Sequence, residues 1–267
     1  MPLIRERGPE GCNAVEPWQA VEIFLAGGAA GTINTLVGSG TLVTFPVLLA
    51  VGIPPVTANV SNNIGLVPGS VSGAWGYRHE LAGQRIRVAH LATASLVGGF
   101  LGAAAVIVLP SGAFDAIVPI LVSLGLLVMA FGPRLVRRAA ARRTDSHVND
   151  GPPRWLWAAV GLTAVYGGYF GAAQGVLLMA VLNLAFADGL QRLNAAKNIL
   201  VALVNGIAGA VFIVAFDVDW TVVLLIGLGA VGGGQVGARL GRRLPEAVLR
   251  IVVIAVGATA LVVFLLR

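Results

Sequence analysis

The stretch Gly31-Thr32-Ile33-Asn34-Thr35-Leu36-Val37-Gly38-Ser39-Gly40-Thr41-Leu42-Val43-Thr44-Phe45-Pro46 decides how this chain is read. Two apolar runs meet there at a small, polar interruption that carries glycine. In hydrocarbon an unpaired backbone amide is costly, so an interrupted helix persists only where protein or a water-filled cavity satisfies the freed groups. The break at Gly38-Ser39-Gly40 therefore predicts the lining of a polar cavity at membrane depth.

A second such stretch follows at Gly167-Gly168-Tyr169-Phe170-Gly171-Ala172-Ala173-Gln174-Gly175-Val176. Matching Gly40 to Gly175 gives an offset of 175 − 40 = 135, and the same offset carries Asn59 to Asn194, Asn63 to Asn198 and Ile64 to Ile199. Asn-x-x-x-Asn-Ile in register, each time downstream of a glycine break, marks a duplication. Glycine- or proline-interrupted apolar segments at matching places in two halves point to a transporter's substrate site.

Composition agrees with a membrane protein. The 267 residues are 57% hydrophobic and only 11% charged, against about 25% charged in a soluble domain. The net charge of +6 needs no nucleic acid, because arginines cluster at helix ends on the cytoplasmic side of membrane proteins. The single cysteine, Cys12, supports neither a disulfide framework nor a thiolate metal site. The first residues, Met1 to Pro17, mix both charge signs and lack the apolar core of a signal peptide.

The apolar runs divide the chain into ten segments: 18–37, 41–51, 57–75, 88–109 and 113–131, then 155–170, 176–186, 193–216, 222–236 and 247–266. A span needs about 20 residues, so the segment after each break is a half-helix or the second arm of a re-entrant pair. The fold predicted is all-α: a polytopic protein of two inverted repeats, each a broken or re-entrant helix pair followed by three transmembrane helices. The repeats cover 18–132 and 155–267, and 133–154 is a basic linker. Arginines concentrate in 78–87, the linker and 239–250, and the turns at 110–112 and 217–219 have none. The first group is thus expected inside, with the linker cytoplasmic. Counting crossings then puts Pro54-Pro55 outside and Asp188 inside, which makes the duplication inverted.

Several residues are candidates for binding. Lys197 falls inside a span at the position matching Asn62, and an intramembrane lysine marks a functional site by default. The competing reading has it snorkelling to the interface beside Arg192. Amides at Ser39, Gly40 and Thr41, and at Gln174, Gly175 and Val176, would open the short helices, and helix N-termini attract anions. Asn34, Asn62, Asn63 and Asn198 complete the expected anion-binding set, with helix-bridging as their bland alternative. Glu22 and His90 are the proton-coupling candidates. No metal ligand set or cofactor motif is expected. His79-Glu80-Leu81-Ala82-Gly83 lacks the second histidine of a zincin, and the Gly38 turn lacks a Walker lysine, so an enzyme is the remote alternative.

The glycine pattern of the first break with Pro46, the following Thr57-Ala58-Asn59 with Asn63, the second break from Gly167 to Gly175 and the basic linker together resemble the sulfite exporter TauE/SafE family. The resemblance covers about Ala20 to Leu266. It implies a carrier in the bacterial inner membrane for sulfite, organosulfonates or similar small anions, working without ATP hydrolysis. The partners expected are that anion and the lipid bilayer. A passive anion channel is the alternative, and the resemblance leaves direction, coupling ion and oligomeric state open.

Overall fold

The computed structural model describes residues 15–141, 153–240 and 246–265. Cys12 and most of the basic linker lie outside them. The described residues are helical, in the order α1 (Pro17–Leu36), α2 (Thr41–Ala50), α3 (Pro55–Gly76), a 3-10 turn (Arg78–Leu81), α4 (Arg85–Val108), α5 (Ser111–Ala141), α6 (Arg154–Tyr169), α7 (Gln174–Ala185), α8 (Leu190–Ala215), α9 (Trp220–Leu240) and α10 (Glu246–Leu265). Pro17 and Pro55 open α1 and α3, where a missing N–H costs nothing. Gln19 Oε1 accepts from the Glu16 N–H at 3.0 Å and closes the start of α1.

Helices α4, α8 and α9 are long and apolar enough to cross a membrane. With 10 and 12 residues, α2 and α7 reach only about 15–18 Å at 1.5 Å per residue, near half of a bilayer core. The single offset does not hold throughout. Thr41 and Gln174 begin α2 and α7, whereas Pro55 and Leu190 begin α3 and α8. The two-residue-longer α7 absorbs the difference, so Gly38 corresponds to Gly171 rather than Gly40 to Gly175. The expected end near Phe131 is also passed: α5 continues past Gly132 and Pro133 to Ala141, and most of the residues beyond them are arginine, leucine and alanine, strong helix formers.

The packing repeats itself. α1 lies on α9 as α6 lies on α4, α3 lies on α9 as α8 lies on α4, and α5 meets α7 as α10 meets α2. α3 and α8 pack on each other, as do α5 and α10. Exchanging the first five helices for the last five reproduces each of these pairings. Two of the extensive seams have backbones in contact: a methyl on Gly31 of α1 would sit 2.4 Å from the Ala230 carbonyl oxygen of α9, and one on Gly102 of α4 would sit 2.1 Å from that of Val165 in α6. Such small-residue seams let helices associate where burial from water supplies no drive. Outward, Leu25, Val97, Leu101, Leu162, Val214 and Leu228 are exposed, a surface that lipid chains solvate and water would not.

Candidate functional site

The two breaks touch each other. The Gly175 N–H donates to the Gly38 carbonyl at 3.0 Å, and a methyl built on either glycine would lie 2.4 Å from the Cα of the other. Gly38 also has φ +85°, a conformation that costs side-chain-bearing residues about 1–2 kcal/mol. Phe45 of α2 stacks edge-on against Phe170 at 5.0 Å. The crossing is thus a backbone-to-backbone contact.

Each broken helix is capped from the other half. At the end of α1, the Thr35 carbonyl accepts from Asn194 Nδ2 at 3.1 Å, Lys197 Nζ at 3.2 Å and Asn198 Nδ2 at 3.3 Å, and Lys197 also donates to the Asn34 carbonyl at 3.0 Å. All three side chains stand on α8. In the reverse direction Asn59 of α3 donates to the Tyr169 carbonyl at the end of α6, at 3.0 Å. Helix ends leave their last carbonyls without intrahelical partners, and here side chains of the opposite half supply the donors. A cation at a helix C-terminus also meets the negative end of its dipole.

The two short helices begin differently. In α7 the first amides are committed: Gln174 N–H to the Gly171 carbonyl at 3.3 Å, Gly175 N–H to Gly38, and Val176 N–H to Ala173 at 3.0 Å. The turn is stapled by Tyr166 Oη, which donates to the Ala172 carbonyl at 2.7 Å, and by Ala173 at φ 59°. In α2 the amides of Ser39, Gly40 and Thr41 have no acceptor among the described residues. They point from a buried N-terminus, which favours negative charge. Beside them Asn62 bridges the Thr41 and Thr44 hydroxyls: its Nδ2 donates to Thr41 Oγ1 at 3.1 Å, and Thr44 Oγ1 donates to its Oδ1.

Lys197 is 0% exposed, so it does not snorkel to the interface; its ammonium donates to the end of α1. The Gln174 and Gly175 amides are likewise committed, the first to the Gly171 carbonyl of its own turn and the second to Gly38 across the crossing. Asn34 is tied down at both ends, its carbonyl by Lys197 and its Nδ2 by Ser70 Oγ at 3.0 Å. Ser39 Oγ lies 3.4 Å from Met129 Sδ. Asn198 caps α1. Asn63 is buried beside Asn62 and makes no hydrogen bond among the described residues. Glu22 and His90 are exposed on α1 and α4 and do not join the buried polar cluster. Among the described residues no three His, Cys, Asp or Glu gather as metal ligands.

Sequence reasoning missed Asn59, Asn194, Thr35 and Tyr166 as parts of the site. The in-register asparagines were the available signal for the first two. Among the described residues, six side-chain oxygens around the breaks and on α3 are buried without a hydrogen-bond partner: Thr35 Oγ1, Asn59 Oδ1, Ser61 Oγ, Asn63 Oδ1, Tyr169 Oη and Asn194 Oδ1.

Residues 23–264 match the family model described as sulfite exporter TauE/SafE. A probable membrane transporter protein, ORF9, of Sinorhizobium sp. is 29% identical over 217 residues, 81% of each chain. Another, YfcA of Escherichia coli K12, is 27% identical over 248 residues, 91% of this chain and 88% of its own. A probable membrane transporter protein of Haemophilus influenzae is 22% identical over 223 residues, 82% of this chain and 83% of its own. No solved structure is significantly similar to this chain.

Proposed function

Since the chain belongs to the sulfite exporter TauE/SafE family, whose relatives here carry the name of membrane transporters, we propose that it carries sulfite, organosulfonates or similar small anions across the bacterial inner membrane. The anion binds at the crossing of the two breaks, against the Ser39, Gly40 and Thr41 amides. Access alternates as one five-helix half rocks against the other, and the two halves are inverted copies with the 133–154 linker in the cytoplasm.

The observation that carries this reading is the direct Gly38–Gly175 contact among buried polar groups. It sits where helix interruptions of the two halves coincide, the usual place of a carrier's site. It also favours a carrier over a channel, because a crossing sealed by backbone contact has to part for an anion to pass. The exchange of helix pairings between halves supports a duplication, and the placement of arginines in 78–87, the linker and 239–250 favours reading it as inverted.

The test is counterflow in proteoliposomes. Vesicles loaded with unlabelled sulfite are expected to accumulate external labelled sulfite transiently, saturably, and with inhibition by an organosulfonate but not by acetate. Flux that never saturates and shows no counterflow would replace the carrier with a channel. An absence of flux for every anion would overturn the transport of these substrates.

A further inference from the structure

We infer that the bodies which move against each other during transport are not the two sequence repeats but two interleaved helix trios, α1 with α3 and α9, and α6 with α8 and α4. The candidate site lies between them. The inference rests on the carrier reading above and names the helices around which each rocking half is built.

Each trio takes two helices from one repeat and one from the other, and it is joined where backbones touch. In the first, methyls built on Gly27 and Gly31 of α1 would fall 2.6 and 2.4 Å from the Ile226 and Ala230 carbonyl oxygens of α9. In return, methyls on Gly229 and Gly233 of α9 would fall 2.2 and 2.0 Å from the Phe24 and Gly28 oxygens of α1. On its other side α9 meets α3: a methyl on Gly234 would lie 2.6 Å from the Gly69 carbonyl oxygen. There Ser72 Oγ donates to the Val231 carbonyl and Gln235 Nε2 to the Ser72 carbonyl, both at 2.8 Å. The second trio repeats the plan. Methyls on Gly98 of α4 and Gly168 of α6 would fall 2.3 and 2.2 Å from the Gly161 and Gly99 carbonyl oxygens, and one on Gly99 would lie 2.7 Å from Ile207 Cγ2 of α8. In lipid such seams depend on close packing and polar contact, and interdigitated groups lose both when they slide. All of these seams join one repeat to the other. Repeats that moved as bodies would have to part every one of them.

The boundary between the trios is built differently. Here α3 faces α8 through side chains: a methyl on Gly209 would come no closer than 3.4 Å to Ile64, and one on Gly206 would meet nothing within 4 Å. An open cavity of about 460 Å³ lies along this boundary, lined by Ile64 and Pro68 of α3, Gly206 and Gly209 of α8, and Val223 and Gly227 of α9. Helices packed through side chains with space beside them can shift without their backbones colliding. The side-chain hydrogen bonds between the trios run to the breaks: Asn194, Lys197 and Asn198 of α8 to the end of α1, and Asn59 of α3 to the end of α6. The Gly38–Gly175 contact lies across the same boundary. Parting the trios therefore opens the candidate site. The chain passes from one trio to the other at two equivalent links, residues 77–84 between α3 and α4 and 216–219 between α8 and α9. Gly83 in the first has φ +77°, and short links of this kind absorb hinge motion.

The experiment compares four label pairs in a Cys12→Ser background. Trp75→Cys on α3, Val108→Cys on α4, Trp155→Cys on α6 and Trp220→Cys on α9 replace exposed residues. They carry an iodoacetamide spin label, whose thioether sulfite does not cleave. Trp75 and Trp220 stand at opposite ends of the first trio, because Gly76 meets Ala238. Val108 and Trp155 stand at opposite ends of the second, because Gly102 meets Val165. Helix rise separates the labels of each of these two pairs by on the order of 25 Å, a span that pulsed dipolar EPR reads. The labelled proteins are expected to retain sulfite counterflow in proteoliposomes. Pairs 75–220 and 108–155, each within a trio but split between repeats, are expected to keep their distances when saturating sulfite is added. Pairs 75–108 and 155–220, each within a repeat but split between trios, are expected to shift by several ångströms. The reverse pattern, movement in all four pairs, or movement in none while counterflow persists would overturn the inference and leave the carrier intact. Absence of counterflow in the unlabelled Cys12→Ser protein would instead remove the carrier reading itself.

Discussion

At the scale of single residues, the informative position is Lys197. A lysine at a helix centre costs roughly 2.5–3.5 kcal/mol on insertion scales, so its presence inside a span was legible as significant. Its partners were not, because they are carbonyls 162 and 163 residues away, and carbonyls carry no sequence signature. The role that follows is a cap for a broken helix. Lys197→Met removes the bond to the Asn34 carbonyl, whereas the Thr35 carbonyl keeps Asn194 and Asn198. An orphaned buried acceptor costs about 1–3 kcal/mol. A melting temperature in detergent lowered by several degrees is the expected result, with Lys197→Arg closer to the original. Unchanged thermal stability in Lys197→Met would contradict the capping role.

At the scale of elements, the reciprocal caps make a comparison possible. Asn194 shares the Thr35 carbonyl with two other donors, whereas Asn59 is the one side-chain donor that the described residues give to Tyr169. Asn59→Leu is therefore expected to destabilise the protein more than Asn194→Leu, by about 1 kcal/mol, in parallel thermal melts. Equal losses would mean that the two ends share their load in some other way. The repeated asparagines, the breaks and the helix count were legible because glycine, proline and hydropathy punctuate the chain locally. Two features were not. The extension of α5 to Ala141 was hidden by Gly132-Pro133, which read as a helix end, and by arginines that read as a loop though they favour helix. The two extra residues of α7 were hidden because an apolar helix gains or loses half a turn without disturbing its pattern.

At the scale of the molecule, inversion predicts opposite fates for equivalent turns. Pro54 lies between α2 and α3, and Ala187 lies between α7 and α8; both are exposed. In a Cys12→Ser background, Pro54→Cys is expected to react with an impermeant thiol reagent from outside intact cells, and Ala187→Cys only after the membrane is opened. Labelling of both from one side would refute inverted repeats. The α7–α8 turn is held to α4 by Asp188, which pairs with Arg87 and, at 3.3 Å, with Arg192, and Arg87 also covers the Phe186 ring at 4.1 Å. Partly exposed pairs of this kind contribute about 0–1 kcal/mol each, so Asp188→Asn is expected to leave the melting temperature nearly unchanged in a thermal scan.

The account turns on the crossing of the breaks as the place through which the anion passes. The direct measurement is saturable sulfite flux by Gly38→Ala beside Gly52→Ala. Both glycines have positive φ, 85° and 91°, so both variants bear a backbone cost of about 1–2 kcal/mol. Only the first drives a methyl into Gly175, since nothing lies within 4 Å of one on Gly52. The expected result is flux abolished in Gly38→Ala and retained in Gly52→Ala, with both proteins inserted and folded. Equal flux in the two variants would contradict the claim that substrate moves through the contact between Gly38 and Gly175.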